Sequence, residues 1–251
     1  MDKDLLHIYR DFLKDNARLE MDFSQTDQSR GVPPPPIEKP YPPDAERITL
    51  PRPGQWQGIG EIGLTEAIAR RQSHRRFRRE PLTLDEAAFL LWATQGIREI
   101  VRPGVALRTV PSAGARHALE TYLLAQNVGG LAPGIYRYLP VEHQLLTVSA
   151  RDDLAERIVP ATLGQRFIAA APIVFVWTAI PYRMEWRYGI AAHRVIAIDA
   201  GHVCQNLYLA VAAIGAGTCA VAAYHQRLMD ELLGVDGEDE FVIYMAPVGK
   251  V

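Results

Sequence analysis

The densest group of residues able to do chemistry is the segment RRQSHRRFRR, residues 70–79, in which six arginines surround Ser73. Guanidinium groups and a hydroxyl can hold a phosphate through forked, charge-assisted hydrogen bonds. In an extended segment, Arg71, Ser73 and Arg75 point to one side while the residues between them face away. This spacing favours an anion pocket, although composition alone would favour a solvated basic face.

A second candidate site is RTVPSAGARHALE, residues 108–120. A Pro-Ser pair followed by small residues leaves backbone N–H groups open and lets a flat ligand approach closely. The same sequence could equally form an ordinary turn before a strand at Thr121. It indicates a binding site only in combination with other motifs.

The segment IGAGTCAVAAY, residues 214–224, matches the relaxed dinucleotide-binding pattern through Gly215, Gly217 and Ala220. That pattern requires a strand before it and a helix after it. Here a helix is predicted before it and a strand after it, so a Rossmann site is excluded. A tight helix-to-strand turn explains the glycines.

The long segment 185–210 contains four potential metal ligands, His193, Asp199, His202 and Cys204. Asp199 and His202 are neighbours on one helix face, but Cys204 falls on another face and no third ligand is well placed. We therefore expect no metal site, and interpret these side chains as helix-surface or partly buried polar groups.

The elements that position these motifs alternate between helices and strands without a regular βαβ rhythm, which predicts an α+β layered domain. The helix over 83–95 has a capping box, since Thr83 can cap and Glu86 can reach back. The other predicted helices are 64–72, 151–159, 186–215 and 226–233, and the predicted strands are 121–126, 134–139, 144–149, 173–180, 218–221 and 241–248.

Three regions are expected along the chain: an amphipathic helix over 1–24, a proline-rich extended arm over 25–60, and a compact domain over 61–251. The arm could serve as a polyproline ligand for a partner. We favour an arm that is strapped across the domain surface, because Tyr41 and Ile48 can pack along the way.

Charge and composition exclude several classes of protein. The formal net charge of −2 argues against a general nucleic-acid binder, and two cysteines are too few for a disulfide framework. The N-terminus has early acids and no apolar run, and the most apolar stretch, 190–217, is interrupted by charged residues. A cytoplasmic protein with no nucleic-acid or membrane partner is expected.

In this order the motifs resemble the FMN-dependent nitroreductase superfamily, and within it the SagB-type (thiazole/oxazole oxidase-like) dehydrogenase branch. The resemblance rests on RRQSHRRF, PLTLDEAAFLLWATQGI, the PSAG segment, GHVCQNLYLA and the closing YMAPVGK, and it covers most of residues 64–250. The combination of RxSxR, PSAG and GHVxQNLYLA in this order is fairly specific.

The resemblance implies a layered α/β/α domain with a mixed, mainly antiparallel sheet, in a domain-exchanged homodimer that binds FMN at the interface. It implies that Arg71 and Ser73 hold the FMN phosphate and that Arg75 reaches the ribityl chain or the pyrimidine edge. Further cofactor contacts are implied for Pro111, Ser112, Ala113 and Gly114 from the other subunit, for backbone N–H groups near Ala222 and Ala223 at flavin N5, and for Lys250 at the phosphate.

Two departures from the family pattern bear on the chemistry. Ala115 stands where related nitroreductases often have Asn, and Arg187-Tyr188 stands where azoline-oxidising members have a Lys-Tyr pair. Arginine stays protonated, so Arg187 can bind substrate or stabilise charge but cannot act as the base. Tyr188 remains the candidate proton acceptor, positioned by Arg187.

The resemblance implies an FMN-dependent oxidoreductase that dehydrogenates a peptide-like or other biosynthetic intermediate, of which azoline to azole is the example. One alternative is an NAD(P)H-dependent nitro or quinone reductase. Another is a non-catalytic subunit that docks onto a biosynthetic-complex partner through the proline-rich arm.

Overall fold

The computed structural model describes residues 3–251, which form nine α-helices and nine β-strands. The helices are α1 (Lys3–Asp11), α2 (Ala17–Glu20), α3 (Leu64–Arg70), α4 (Leu84–Gln95), α5 (Leu154–Ala161), α6 (Arg166–Ala169), α7 (Tyr182–Tyr188), α8 (Ala192–Ala210) and α9 (Gln226–Leu233). The strands are β1 (Arg47–Thr49), β2 (Ile97–Arg102), β3 (Val105–Arg108), β4 (Leu119–Ala125), β5 (Gly134–Leu139), β6 (Gln144–Ala150), β7 (Ile173–Ala179), β8 (Ala216–Thr218) and β9 (Phe241–Lys250).

Seven strands form the central sheet in the order β1-β6-β5-β4-β7-β9-β8, and every ladder between these neighbours is antiparallel. The parallel pairings are isolated bridges, Ser73 with Thr218 and Leu82 with Val128. The predicted mainly antiparallel sheet is thus confirmed, with its parallel part reduced to single bridges. The separate hairpin β2–β3 was not predicted.

Helices cover both faces of the sheet. Along β7, Phe175 and Trp177 face one hydrophobic core, whereas Val174 and Val176 face the other, as the two-residue period of a strand requires. Helices α4 and α8 contribute buried residues to the first core, and α5, α6 and α9 to the second. The structure is therefore a three-layer α+β domain, as predicted.

The predicted capping box begins α4. The Thr83 hydroxyl accepts from the Glu86 backbone N–H at 3.1 Å, and the Glu86 carboxylate accepts from the Thr83 N–H at 2.9 Å. Two otherwise unpaired N–H groups are satisfied in this way.

The single helix predicted over 186–215 is divided at Gly189, which has φ +48°. A side chain there would collide with Met21, so the N-terminal segment occupies the space at the break. The helical stretch Tyr182–Ile214 is apolar and long enough to cross a membrane by composition alone, but α8 packs Val203 and Leu207 into the core. It is a core helix of the domain.

The N-terminal segment contains α1 and α2 instead of one helix, and residues 1 and 2 of that prediction lie outside the described residues. The arm that follows packs on the domain. Lys39 donates through its backbone N–H to Glu120 at 2.8 Å, its Nζ pairs with buried Glu240, and its carbonyl accepts from Arg137 at 2.9 Å. The Ile37 carbonyl accepts from Arg108 at 2.8 Å.

Candidate functional site

The arginine block runs beside the end of the central sheet. The His74 N–H donates to the Thr218 carbonyl at 2.9 Å, and the Arg78 N–H donates to the Lys250 carbonyl at 2.9 Å. Gly217 allows this approach, because a Cβ at that position would come within 2.6 Å of the His74 ring. The sequence therefore holds the block against β8 and β9.

A cavity of about 560 Å³ opens next to this segment. Arg71, Gln72 and His74 line it, whereas Ser73 and Arg75, which were expected to point the same way as Arg71, do not. The strand-like alternation expected for these residues does not hold, because only Ser73 forms a bridge and the segment is not a regular strand. The cavity also reaches Gly215 at the helix-to-strand turn.

Tyr208, on α8, is the residue that organises this cavity and that sequence analysis missed. Its hydroxyl lies 2.8 Å from the Ser73 hydroxyl and accepts from the Ala220 N–H at 2.9 Å. The Arg71 guanidinium lies 5.4 Å from the centre of its ring. Tyr208 therefore joins the arginine block to the segment that carries Ala222 and Ala223.

If the Tyr208 hydroxyl donates to Ser73, then the Ser73 hydroxyl is left to donate to a ligand. The three groups form a chain, Ala220 N–H to Tyr208 O–H to Ser73 O–H, in which each bond polarises the next. Such a chain, beside Arg71, is suited to binding an oxyanion.

Lys250 lies at the end of β9, opposite Ala216. Its ammonium group forms an ion pair with the buried Glu86 carboxylate and donates to the Ile214 carbonyl at 2.6 Å. The lysine is therefore engaged within the protein and braces the start of α4 against the glycine turn.

Ala222 and Ala223 are exposed and follow the bridge between Val221 and Met245. The Gln165 side-chain amide donates to the Ala223 carbonyl at 2.7 Å and fixes this loop. The loop lies on the same side of α8 as the arginine block, because the Ala220 N–H that precedes it donates to the Tyr208 hydroxyl.

The PSAG segment lies elsewhere, against α7 and the first half of α8. Gly114 has φ +59°, and a Cβ there would lie 2.6 Å from the Tyr188 hydroxyl and 3.1 Å from Arg187 Cδ. The Ser112 hydroxyl accepts from the His117 N–H at 2.9 Å. The structure thus brings the predicted Pro111–Gly114 segment together with the predicted pair Arg187-Tyr188 in one chain.

Buried polar groups surround this second group of residues. Burial raises the pKa of Asp199, while Ser112 and Ala113 beside it act in the opposite direction. Burial, reinforced by nearby Arg108, lowers the pKa of His117 to about 3, so this imidazole is neutral at ordinary pH.

The two groups of residues lie on opposite faces of α8. Asp199, beside the PSAG segment, precedes Tyr208 by nine residues, which corresponds to a rotation of about 180° and a rise of about 13 Å. Asn206 shares the face of Asp199 and donates to the Ala93 carbonyl at 2.8 Å and, over a longer distance of 3.5 Å, to the Thr109 carbonyl. Within one chain, α8 therefore separates two sets of residues. The Arg71 group comprises Arg71, Ser73 and Tyr208, and the Tyr188 group comprises Pro111–Gly114, Arg187 and Tyr188.

Among residues 3–251, no group of three or more His, Cys, Asp or Glu side chains could hold a metal ion. His202 lies 3.9 Å from Asp199, as their spacing predicted. Burial raises the pKa of the Cys204 thiol to about 12.

Comparison with known proteins gives the family. The family described as "Nitroreductase family" matches residues 68–250. MJ1384 of Methanocaldococcus jannaschii, named as a nitroreductase, is 34% identical over 196 residues, covering 78% of this chain and 95% of that protein.

A solved structure from Ralstonia eutropha, described as a nitroreductase, superposes with a TM-score of 0.67 at 29% identity and covers 87% of this chain and 98% of its own. The trifolitoxin-processing protein TfxB of Rhizobium leguminosarum is 27% identical over 137 residues, which is 51% of this chain and 36% of TfxB. Since the family match spans most of the chain, this protein belongs to the nitroreductase family.

Proposed function

We propose that this chain is an FMN-dependent oxidoreductase that acts as a cytoplasmic homodimer and dehydrogenates a peptide-like biosynthetic intermediate, of the azoline-to-azole type. The observation that carries the proposal is the separation of the Arg71 and Tyr188 groups by α8. Each group is half of a flavin site, and a two-fold dimer would complete both sites at once.

Arg71 and Tyr208 line the cavity, and Ser73 and Arg75 adjoin it on the same segment without lining it, a set of donors suited to a flavin phosphate. Arg71 and the Ser73 hydroxyl would hold the phosphate, with Tyr208 fixing the hydroxyl, and Arg75 would reach the ribityl chain. Lys250 would contact the phosphate only by leaving Glu86, so we assign it a bracing role. Gly215 and Gly217 in the cavity wall allow the ligand to approach the protein backbone closely.

The remaining contacts would come from the loop at Ala222 and Ala223, whose backbone N–H groups would face the flavin ring, and from Pro111–Gly114 of the second subunit. When bound, FMN would supply a two-electron acceptor for the hydride removed from the substrate. The protein supplies orientation and a place for the proton.

Tyr188 is the group proposed to receive that proton, which it would accept as the phenolate and hold as the neutral hydroxyl. Its hydroxyl lies against Gly114, where only a residue without a side chain leaves room for it. The Arg187 guanidinium lies 5.4 Å from the Tyr188 ring and would stabilise negative charge on the phenol or on the substrate. Arg187 itself cannot accept the proton, because the arginine side chain is already protonated.

The substrate class is supported by the relative TfxB, which is named for processing trifolitoxin. A nitroreductase activity fed by NAD(P)H is the second candidate, and the name of MJ1384 favours it. Mixing the purified protein anaerobically with NADPH or with an azoline-containing peptide distinguishes the two. We expect the peptide to bleach the flavin absorbance, whereas rapid bleaching by NADPH alone would favour the reductase.

The shared site can be tested by complementation. Arg71→Gln and Tyr188→Phe should each be inactive as homodimers at low FMN concentration. Subunits of the two variants, mixed and reassembled, should regain about a quarter of wild-type activity, because one site in each mixed dimer is intact. Failure of the wild-type protein to acquire FMN would overturn the proposal, and failure of the mixture alone would overturn the shared site.

A further inference from the structure

A pocket of about 370 Å³ lies beside the Arg187-Tyr188 pair, and it is lined by three arginines. Arg102 comes from the hairpin β2–β3, Arg116 from the turn after the PSAG segment, and Arg187 from the end of α7. None of the other lining residues is acidic, and within residues 3–251 no ion pair engages any of these three arginines. Three positive charges therefore converge on one small pocket without a carboxylate.

Arg116 is fixed in place by the protein. It is 4% exposed, its Nε donates to the Arg183 carbonyl at 3.0 Å, and its Nη1 donates to the Gly104 carbonyl at 3.0 Å. Its guanidinium stacks 4.7 Å from the centre of the Trp186 ring. This arginine is a rigid part of the pocket wall.

The region behind the pocket contains compensated charge, since buried Arg183 pairs with the Glu120 carboxylate at 2.5 Å. Buried Arg108 donates to the Gln95 side chain and the Ile37 carbonyl and has no carboxylate partner among its hydrogen bonds. Burial lowers the pKa of Arg116, and nearby Arg187, Arg183 and Arg102 lower it further. Arg102, Arg116 and Arg187, by contrast, have no ion pair within residues 3–251, and three like charges so close together are costly unless an anion binds there.

We infer that this pocket binds a carboxylate group of the substrate through Arg102, Arg116 and Arg187 and holds the reacting bond beside Tyr188. The inference rests on the proposed function for the placement of Tyr188, and it narrows the substrate to molecules with a free carboxylate. The forked guanidinium groups match the two oxygens of a carboxylate. Apart from Gln28, the remaining lining residues, which include Trp186 and Val105, are apolar and suit a peptide-like body.

The test measures binding by calorimetry at constant ionic strength, with N-acetylphenylalanine as the probe and its neutral amide as the matched control ligand. We expect the carboxylate to bind at least tenfold more tightly than the amide. Arg102→Gln should remove most of that preference. Arg98→Gln on the same hairpin is the matched control variant, because Arg98 is exposed and lines a different pocket. It should keep the preference.

Equal binding of acid and amide, or equal losses in the two variants, would overturn the inference. Tighter binding of inorganic phosphate than of the carboxylate would overturn the assignment of the ligand. Flavin binding is recorded in the same samples from the visible spectrum. A protein that binds FMN but not the carboxylate contradicts only this inference, whereas one that binds the carboxylate but no FMN contradicts only the proposed flavin chemistry.

Discussion

The residues packed against the two faces of α8 are held in place by different means. We call these the Tyr208 face, next to the arginine block, and the Tyr188 face, against which the PSAG segment and the end of α7 pack. On the Tyr208 face, hydrogen bonds link Ser73, Tyr208 and Ala220, and the backbone there needs no rare conformation apart from a glycine turn. On the Tyr188 face, Gly114, Ala115 and His117 all have φ between +47° and +59°.

Left-handed backbone is costly for residues with a side chain, and it persists only where the surroundings enforce it. The Tyr188 face is therefore held by strain and close packing, whereas the Tyr208 face is held by a relaxed polar network. Substitutions on the first face should affect stability and geometry together. Substitutions on the second should affect ligand affinity with little effect on folding.

The largest effect should come from Arg71→Gln. Loss of the charged contact to the phosphate should weaken FMN binding roughly 10- to 100-fold, with riboflavin binding unchanged because riboflavin has no phosphate. Fluorescence quenching of each flavin measures both affinities. Arg76→Gln is the control, since Arg76 belongs to the same block but does not line the cavity. An equal loss of riboflavin binding would contradict a phosphate role.

Gly114→Ala should destabilise the protein through two separable causes. The left-handed backbone costs about 1–2 kcal/mol with a side chain, and the contact with Tyr188 adds to it. Gly130→Ala is the control, because Gly130 has φ +84° and open space around it. Urea unfolding should show a larger loss for Gly114→Ala. Equal losses would mean that Tyr188 is free to move away.

His117→Asn tests the charge of the Tyr188 face. The pKa of His117 falls from 6.5 to about 3 on folding, so the unfolded chain binds more protons between these values and stability falls as pH drops. Titration of this residue should lower the free energy of unfolding by about 1.4 kcal/mol at pH 5.5 relative to pH 7.5. Asn tolerates positive φ and does not titrate.

The measurement for His117 is the urea midpoint at both pH values. The asparagine variant should lose about 1.4 kcal/mol less than the wild type between them, whereas His202→Asn on the exposed surface of α8 should behave like the wild type. If the His117→Asn variant lost as much unfolding free energy between the two pH values as the wild type, other groups would be the cause of the acid sensitivity.

The smallest effect should come from Tyr208→Phe. Loss of one hydroxyl from the polar chain should weaken FMN binding about fivefold, at a cost of about 1 kcal/mol, and should leave riboflavin unaffected. Tyr224→Phe removes a comparable hydroxyl bond, to the Val242 carbonyl, away from the cavity. If both variants bind FMN like the wild type, Tyr208 does not position Ser73 for the ligand.

Elements with local signals were predictable. The capping box at Thr83 and the helix α9 over Gln226–Leu233 match the structure, because both depend on residues a few positions apart. The break at Gly189 was missed because it depends on Met21, far away in sequence. The hairpin β2–β3 had a usable signal, the turn dipeptide Pro103-Gly104 between two short apolar runs.

The site was predictable where the family motifs carry it and missed where distant contacts build it. The hydroxyl of Tyr208 meets Ser73 across 135 positions, and no periodicity of α8 reveals that. The pocket of Arg102, Arg116 and Arg187 joins three separate segments. The three positive charges come together only because the β2–β3 hairpin packs beside α7, and this packing has no signal in the sequence.

The arm that carries Lys39 also has a consequence for how the chain is made. Its ion pair joins Lys39 to Glu240 across 201 positions, so the arm leaves the ribosome long before its acidic partner is synthesised. Until then, the Lys39 ammonium group has no Glu240 carboxylate to pair with, although the backbone contacts of the arm with Glu120 and Arg137 can already form. The Lys39–Glu240 ion pair is therefore expected among the last events of folding, when the residue just before β9 is in place, and it locks an arm that is already partly docked.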